Sequence, residues 1–355
     1  VIRVLSIDGG GIRGIIPATW LMKLEELTGR HTSDLFDIMV GTSTGGVIVL
    51  GLACPGGGSG GAAAPHSAAA LRSLYVDHGR EIFSGAPNAG APETGAPAAG
   101  GPAAGEPETS APATREPAAD EPGRGENARY SSEPLRRYLD QYFGGRRLSE
   151  ALKPTAVVTV DLAHLAGLLF SGGGLFQKPL GDAPMALAAL ATSAAPTYFE
   201  PVRYTGEDGV DRLLADGGIA ANDPAFVGLA MALVQQRRTG DSEGILLVSL
   251  GTGLQSGGAS LEPSAVAQLT HRGQPGALEP VMEALYGASG GLARNLVSAA
   301  LGTRYVRVQA ELLPGVDHAL DNASEENISG LLATAEALVS ADAVRMQDVA
   351  AKLMG

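Results

Sequence analysis

Apolar residues in this chain fall into short dense runs, and the runs are separated by turns rich in glycine. Residues 1–7 (VIRVLSI) form a β-rich run that stops at Asp8 and three glycines, and residues 15–27 then place apolar side chains at helical spacing. The pattern predicts strand, glycine turn, helix. Residues 35–40 repeat it: an apolar strand, a tight GTSTGG turn at Gly41 to Gly46, and residues 47–52 as the first turns of a second, buried helix. Both turns follow strands. In a parallel α/β sheet the carboxyl ends of the strands are where ligands bind, so the two turns are the first places to look for chemistry.

Downstream the alternation continues. Residues 54–64 read as a Gly- and Ala-rich loop and residues 68–79 as a helix. After an interruption come a helix over 133–142, a Val-rich strand over 156–161, an Ala-rich helix over 185–193, a short strand over 213–215, a helix over 224–237 and a strong strand over 244–250. The interruption has its own signature, with prolines at positions 87, 92, 97, 102, 107, 112, 117 and 122 in a background of Ala, Gly, Thr and Glu. Collagen needs a period of three, and a helix cannot carry a proline in every second turn. With few bulky apolar residues to offset chain entropy, residues 85–124 read as a disordered, partly extended insert. The whole is expected to be one α/β domain over 1–355, interrupted by this insert at about 85–126, rather than two linked domains.

Composition narrows the partners. A net charge of −13 and a pI near 4.9 argue against nucleic acid, whose phosphates are bound by clustered Lys and Arg. The single cysteine, Cys54, excludes an internal disulfide and fits a reducing compartment, so the cytoplasm is the expected location. No apolar stretch approaches the roughly 20 residues of a membrane span, which leaves a soluble or peripheral protein. The chain opens at Val1 without an initiator Met; its start is read as trimmed, and secretion stays open. High Ala, Gly and Pro content suggests a bacterial genome of high GC. No His, Asp or Glu cluster has metal-ligand spacing, so no metal or other cofactor is expected.

Three glycine-framed strings carry the candidate chemistry. In GTSTGG, Gly41 and Gly45 let a strand turn abruptly into a helix, leaving the Ser43 hydroxyl exposed at the helix N-terminus, where the dipole favours negative charge. The same turn is equally readable as a plain helix cap. In DGGGIRG, the N–H groups of Gly9, Gly10 and Gly11 suit an oxyanion hole, and Arg13 either orients the loop or draws a phosphate. These letters also match the dinucleotide fingerprint, but the second strand ends in a serine turn rather than in a ribose-binding acid. In the third string, Asp216 follows a short strand and precedes Gly217 and Gly218, placing a carboxylate at a strand end; a self-bonded turn is the plain alternative. His31, His66, His78, His164, His271 and His318 sit in segments read as loops or helix ends, so a Ser43–Asp216 dyad is the simplest arrangement. Asp8 is read as a brace for the glycine loop, and Asn222 with Asp223 as a helix start.

Together the strings resemble the patatin-like phospholipase family, with its DGGG-x-R/K-G loop, G-x-S-x-G turn and D-G-G/A motif. Residues 4–19 (VLSIDGGGIRGIIPAT), 36–46 (FDIMVGTSTGG), 191–201 (ATSAAPTYFEP), 215–224 (ADGGIAANDP) and 246–253 (LLVSLGTG) look like family segments in family order, and 322–328 (NASEENI) resembles the plant branch. The resemblance implies a three-layer α/β/α fold with a central, mostly parallel sheet. It implies a phospholipase A type acyl hydrolase acting on membrane lipids through an acyl-enzyme, with Ser43 as nucleophile, Asp216 as base and the backbone of Gly9 to Gly11 as oxyanion hole. The proline-repeat insert stands where the family has a short connection. Peripheral membrane contact follows from the substrate. Two alternatives accompany this expectation: an antiviral effector switched on by a cyclic nucleotide, and a storage or interaction protein with little turnover.

Overall fold

The computed structural model describes residues 1–56, 65–84, 128–174, 180–240, 244–255 and 278–355. The proline-repeat insert and most of the expected 54–64 loop lie outside the described residues. The chain runs β1 (Ile2–Ile7), α1 (Ile15–Thr28), α2 (Thr32–Leu35), β2 (Ile38–Thr42), α3 (Thr44–Ala53), α4 (Ala68–Ile82) and α5 (Glu133–Phe143). It continues through β3 (Thr155–Asp161), β4 (Ala166–Ser171), α6 (Met185–Thr192), β5 (Val202–Thr205), β6 (Asp211–Asp216), α7 (Gly218–Ala221), α8 (Ala225–Thr239) and β7 (Ile245–Leu250). It closes with α9 (Leu278–Leu301), β8 (Tyr305–Val308), α10 (Glu325–Ala341) and α11 (Ala343–Met354).

One sheet holds the strands in the order β5-β6-β3-β2-β1-β7-β8, with β4 paired to β3 off that path. The pairs from β3 through β2, β1 and β7 to β8 are parallel, whereas β4, β6 and β5 join antiparallel. Side chains alternate across the pleat and divide the core in two. Leu5, Ile7, Met39, Val157, Leu246 and Val248 face the larger cluster, which includes residues of α1, α3, α4, α5, α6, α10 and α11. Val4, Ile38, Val40, Ala156 and Leu247 face the smaller one, packed by α8 and α9. The result is the expected three-layer α/β/α arrangement around a mostly parallel sheet.

The helix behind the serine is buried along its whole length. All ten residues of α3 are buried, and Val47, Ile48, Val49, Leu50 and Leu52 each contribute roughly 1.5–3 kcal/mol by leaving water. Such a helix cannot shift without losing that burial. The strand expected over 35–40 begins later, at Ile38, because residues 32–35 close a turn of helix after Thr32 donates its N–H and hydroxyl to Glu25. The sequence pattern missed β4, β5, β8, α9, α10 and α11; α11 carries a readable helical stripe of Met346, Val349, Ala350 and Leu353.

Candidate active site

Ser43 sits between β2 and α3 with φ 53° and ψ −126°, a backbone state that L-residues occupy only when their surroundings enforce it, at a cost of order 1–3 kcal/mol. Three restraints hold it. The Ser43 N–H donates to Thr192 Oγ1 at 2.9 Å, and the Thr192 hydroxyl donates in turn to the Val158 carbonyl at 2.5 Å. Gly45 lies so close to β1 that a Cβ there would stand 2.2 Å from the Ile7 carbonyl oxygen. Gly41 in turn lies against the Gly45 carbonyl. The turn is therefore more than a helix cap: among the described residues the Ser43 side chain caps no N–H of α3, and its hydroxyl lies close enough to the Asp216 carboxyl to lower that group's proton affinity.

Asp216 reaches Ser43 by a route that parallel-sheet reasoning does not anticipate. Strand β3 overhangs β2, which pairs with it only as far as Thr42 opposite Val158. Strand β6 returns antiparallel along the overhang and ends with Asp216 opposite Thr159, one residue beyond. The Asp216 N–H donates to the Ala194 carbonyl at 2.9 Å, and Asp216 Oδ1 accepts the Gly218 N–H at 2.7 Å. Gly217 lies against the Val158 carbonyl of β3. At 2% exposure the carboxyl is displaced upward to about 7, chiefly by burial, against the smaller opposing pull of the Ser43 hydroxyl and the Gly218 N–H.

The glycine loop follows β1 and runs alongside Ser43: a Cβ on Gly9 would stand 3.2 Å from Ser43 Cβ. Its donors are not equivalent. The Gly9 N–H is already committed to the Asn222 carbonyl at 3.0 Å, which removes it from the set of three expected oxyanion donors. The N–H groups of Gly10 and Gly11 have no acceptor among the described residues. Gly11 adopts φ 55°, and a Cβ there would meet the Leu320 carbonyl oxygen at 2.1 Å, so only glycine fits.

Arg13 braces this loop, with Nε on the Gly10 carbonyl at 3.3 Å and Nη1 on the Gly253 carbonyl at 3.1 Å. Thr252 donates to the Gly9 carbonyl at 2.9 Å. Asp8 anchors it from behind through Arg307, whose Nη1 and Nη2 take the two carboxylate oxygens at 2.9 and 2.5 Å. Arg307 also donates to Ser249 Oγ at 2.7 Å and to Asp223 at 3.4 Å. Burial and the neighbouring Asp8 charge push Asp223 upward, with Arg307 opposing. Asp223 Oδ1 also accepts the Ala225 N–H at 3.0 Å, which starts α8 as expected.

An apolar cavity opens beside the serine. It encloses about 570 Å³ of empty space including its mouth, and Val47, Leu74, Ile82, Phe83, Leu135 and Phe199 line it together with Ser43 and Gly11. The histidines stay apart from this chemistry: His164 pairs with Asp161, His66 with the Tyr142 carbonyl and His318 with Gln255. His271 lies outside the described residues. Sequence reasoning missed Thr192, although it lies inside one of the quoted family-like segments, and missed Arg307, an isolated cation in a four-residue strand with no local signal. Among the described residues no group of three or more His, Cys, Asp or Glu side chains is placed to hold a metal ion. No helix among them is long and apolar enough to cross a membrane.

A parallel-centred α/β/α sandwich, with a serine on a strained strand-to-helix turn and a buried carboxyl nearby, defines the class as an α/β protein with its candidate site at a strand-to-helix turn. The family model described as patatin-like phospholipase matches residues 5–229, and the chain belongs to that family. Patatin-like protein 2 of Arabidopsis thaliana is 28% identical over 98% of this chain and 84% of its own. Patatin-12 of Solanum tuberosum is 28% identical over 96% of this chain and 84% of its own. Among solved structures, VipD from Legionella pneumophila aligns with 96% of this chain and 67% of its own, at a TM-score of 0.36 and 12% identity.

Proposed function

We propose that this protein is a lipid acyl hydrolase of the phospholipase A type, working through a Ser43–Asp216 dyad and an acyl-enzyme. The observation that carries the reading is Ser43 on its strained turn at the wall of an apolar cavity, with the buried Asp216 carboxyl near enough for the serine hydroxyl to lower its proton affinity. A desolvated carboxylate with its proton affinity near neutrality is matched to general-base work. Asp216 takes the Ser43 proton as Oγ attacks the ester carbonyl. The Gly10 and Gly11 N–H groups and the first turn of α3 meet the oxyanion, where preorganised donors count for more than in water. Collapse expels the alcohol, which receives the proton from Asp216. Water, deprotonated by Asp216, then releases the fatty acid. The cavity holds the acyl chain, and the substrate brings the protein to a lipid surface.

The test is fatty-acid release from mixed phospholipid vesicles in EDTA by the intact protein, Ser43→Ala and Asp216→Asn, each with and without cyclic nucleotides. Release by the intact protein alone supports the dyad. Release that survives both substitutions, or intact protein that releases nothing under any condition, overturns it. Release seen only with a nucleotide present assigns the dyad to a nucleotide-switched effector.

A further inference from the structure

On α9, Leu285 points to solvent while the next residue, Tyr286, turns inward onto α7. Its ring lies against the backbone just past the candidate base: a Cβ on Gly218 would stand 2.8 Å from Tyr286 Cε1. Ser289, one turn along α9, fixes this contact by accepting the Asn222 N–H at 3.3 Å and reaching the Gly218 carbonyl at 3.4 Å. The Tyr286 hydroxyl is buried and has no hydrogen-bond partner among the described residues. Burial, then the charge of Asp216, then Tyr198 raise its proton affinity far above the ordinary phenol value. Tyr198 also lines the cavity beside Ser43. The same Cβ on Gly218 would stand 3.1 Å from Asn222 Oδ1, and a Cβ on Gly9 would stand 2.3 Å from that oxygen and 3.2 Å from Ser43 Cβ, so one side chain separates the ring from the serine turn. The phenol keeps its proton at any working pH.

An orphaned buried hydroxyl costs about 1–3 kcal/mol, and phenylalanine would fill the same space without that cost. Packing alone gives no reason for the oxygen. We propose that Tyr286 is a further catalytic residue, donating its hydroxyl hydrogen bond to the leaving-group oxygen of the ester as the acyl–oxygen bond breaks. This rests on the hydrolase reading above. The balance of the step is unchanged: the Ser43 Oγ–carbon bond forms, the carbon–oxygen bond to the alcohol breaks, and the Ser43 proton passes through Asp216 to the alcohol. Tyr286 retains its own proton and stabilises the oxygen while negative charge accumulates there. A two-residue dyad has a single proton to move, so a second donor matters most when the leaving group is a poor one such as a glycerol alkoxide.

Tyr286→Phe in the full chain tests this against two substrates with the same acyl chain, a glycerol-ester phospholipid in vesicles and a p-nitrophenyl ester. The expected result is a kcat on the glycerol ester lower by roughly 10²-fold, the size seen when one transition-state donor is removed. The nitrophenyl ester, whose leaving group needs no donor, should be hydrolysed within about threefold of wild type, and the thermal midpoint should hold or rise. Equal losses on the two esters, no loss on either, or a fall in the midpoint overturns the assignment of Tyr286 while leaving the dyad intact. Wild-type release that survives Ser43→Ala overturns the hydrolase reading, and the role of Tyr286 with it.

Discussion

Asp216→Asn is expected to stabilise the folded chain at alkaline pH while silencing it. The carboxyl is 2% exposed, and burial lifts it from 3.8 to about 7. A group whose proton affinity is higher in the folded state than in the unfolded chain favours folding most below the unfolded value. That contribution is lost as pH rises through about 7. Once ionised in place, the carboxylate costs the fold about 4 kcal/mol, at ~1.4 kcal/mol for each tenfold change in proton affinity. Structural relaxation makes this an upper figure. Asparagine keeps the shape and an oxygen for the Gly218 N–H but carries no charge. The stability of Asp216→Asn relative to wild type should therefore rise by roughly 2–4 kcal/mol between pH 4.5 and 8.5 and level off above about pH 8. Urea unfolding at closely spaced pH values, followed by the fluorescence of the buried Trp20, gives that difference directly. Asp223 is also displaced upward, but it titrates in both proteins and cancels. A difference that stays flat with pH would refute the argument that a desolvated, ionised Asp216 serves as the base.

Four further outcomes are expected. The acylation rate of the wild type should fall tenfold for each pH unit below about 7, because the base is lost as Asp216 takes up its proton; a pH–rate profile on a soluble ester checks this. Ser43→Gly should abolish release yet raise stability by about 1 kcal/mol, since glycine adopts φ 53° without strain; denaturant midpoints decide it. Arg307→Met should cost about 3–5 kcal/mol and lower kcat in the fraction that still folds, because Asp8 and Asp223 are left buried without their shared cation. EDTA should leave fatty-acid release unchanged, as a carboxylate base requires no metal-bound water; a chelator titration with stimulation restored by added cations would contradict it.

Local chemistry determined much of what was legible in the chain. Glycine at 41 and 45 around Ser43, each flanked by an apolar strand and an apolar helix, dictates a strand–turn–helix because only those residues allow the backbone to pass that closely. The same holds for Gly11, and both turns were readable from the letters alone. The sequence did not reveal which strand Asp216 would approach from. Its own strand is short and pairs antiparallel on the overhang of β3, and ladder partners are chosen by tertiary packing rather than by the strand's own residues. Parallel-sheet logic therefore pointed to Asp216 along a path the fold does not take.

The loss of Gly9 from the donor set has the same origin. Its N–H is taken by a carbonyl 213 positions away, at Asn222, and no local pattern announces that bond. Thr192, Arg307 and Tyr286 each lie in segments whose own periodicity speaks only of helix or strand. Their side chains became part of the site when α6, β8 and α9 docked onto one end of the sheet. The sequence by itself determined the two turns and the residue types able to carry acyl chemistry, since backbone sterics are local. The tertiary structure alone decided which N–H groups stay free, which carboxyl is desolvated and which hydroxyl is left without a partner, since burial and pairing depend on segments that meet only in the fold.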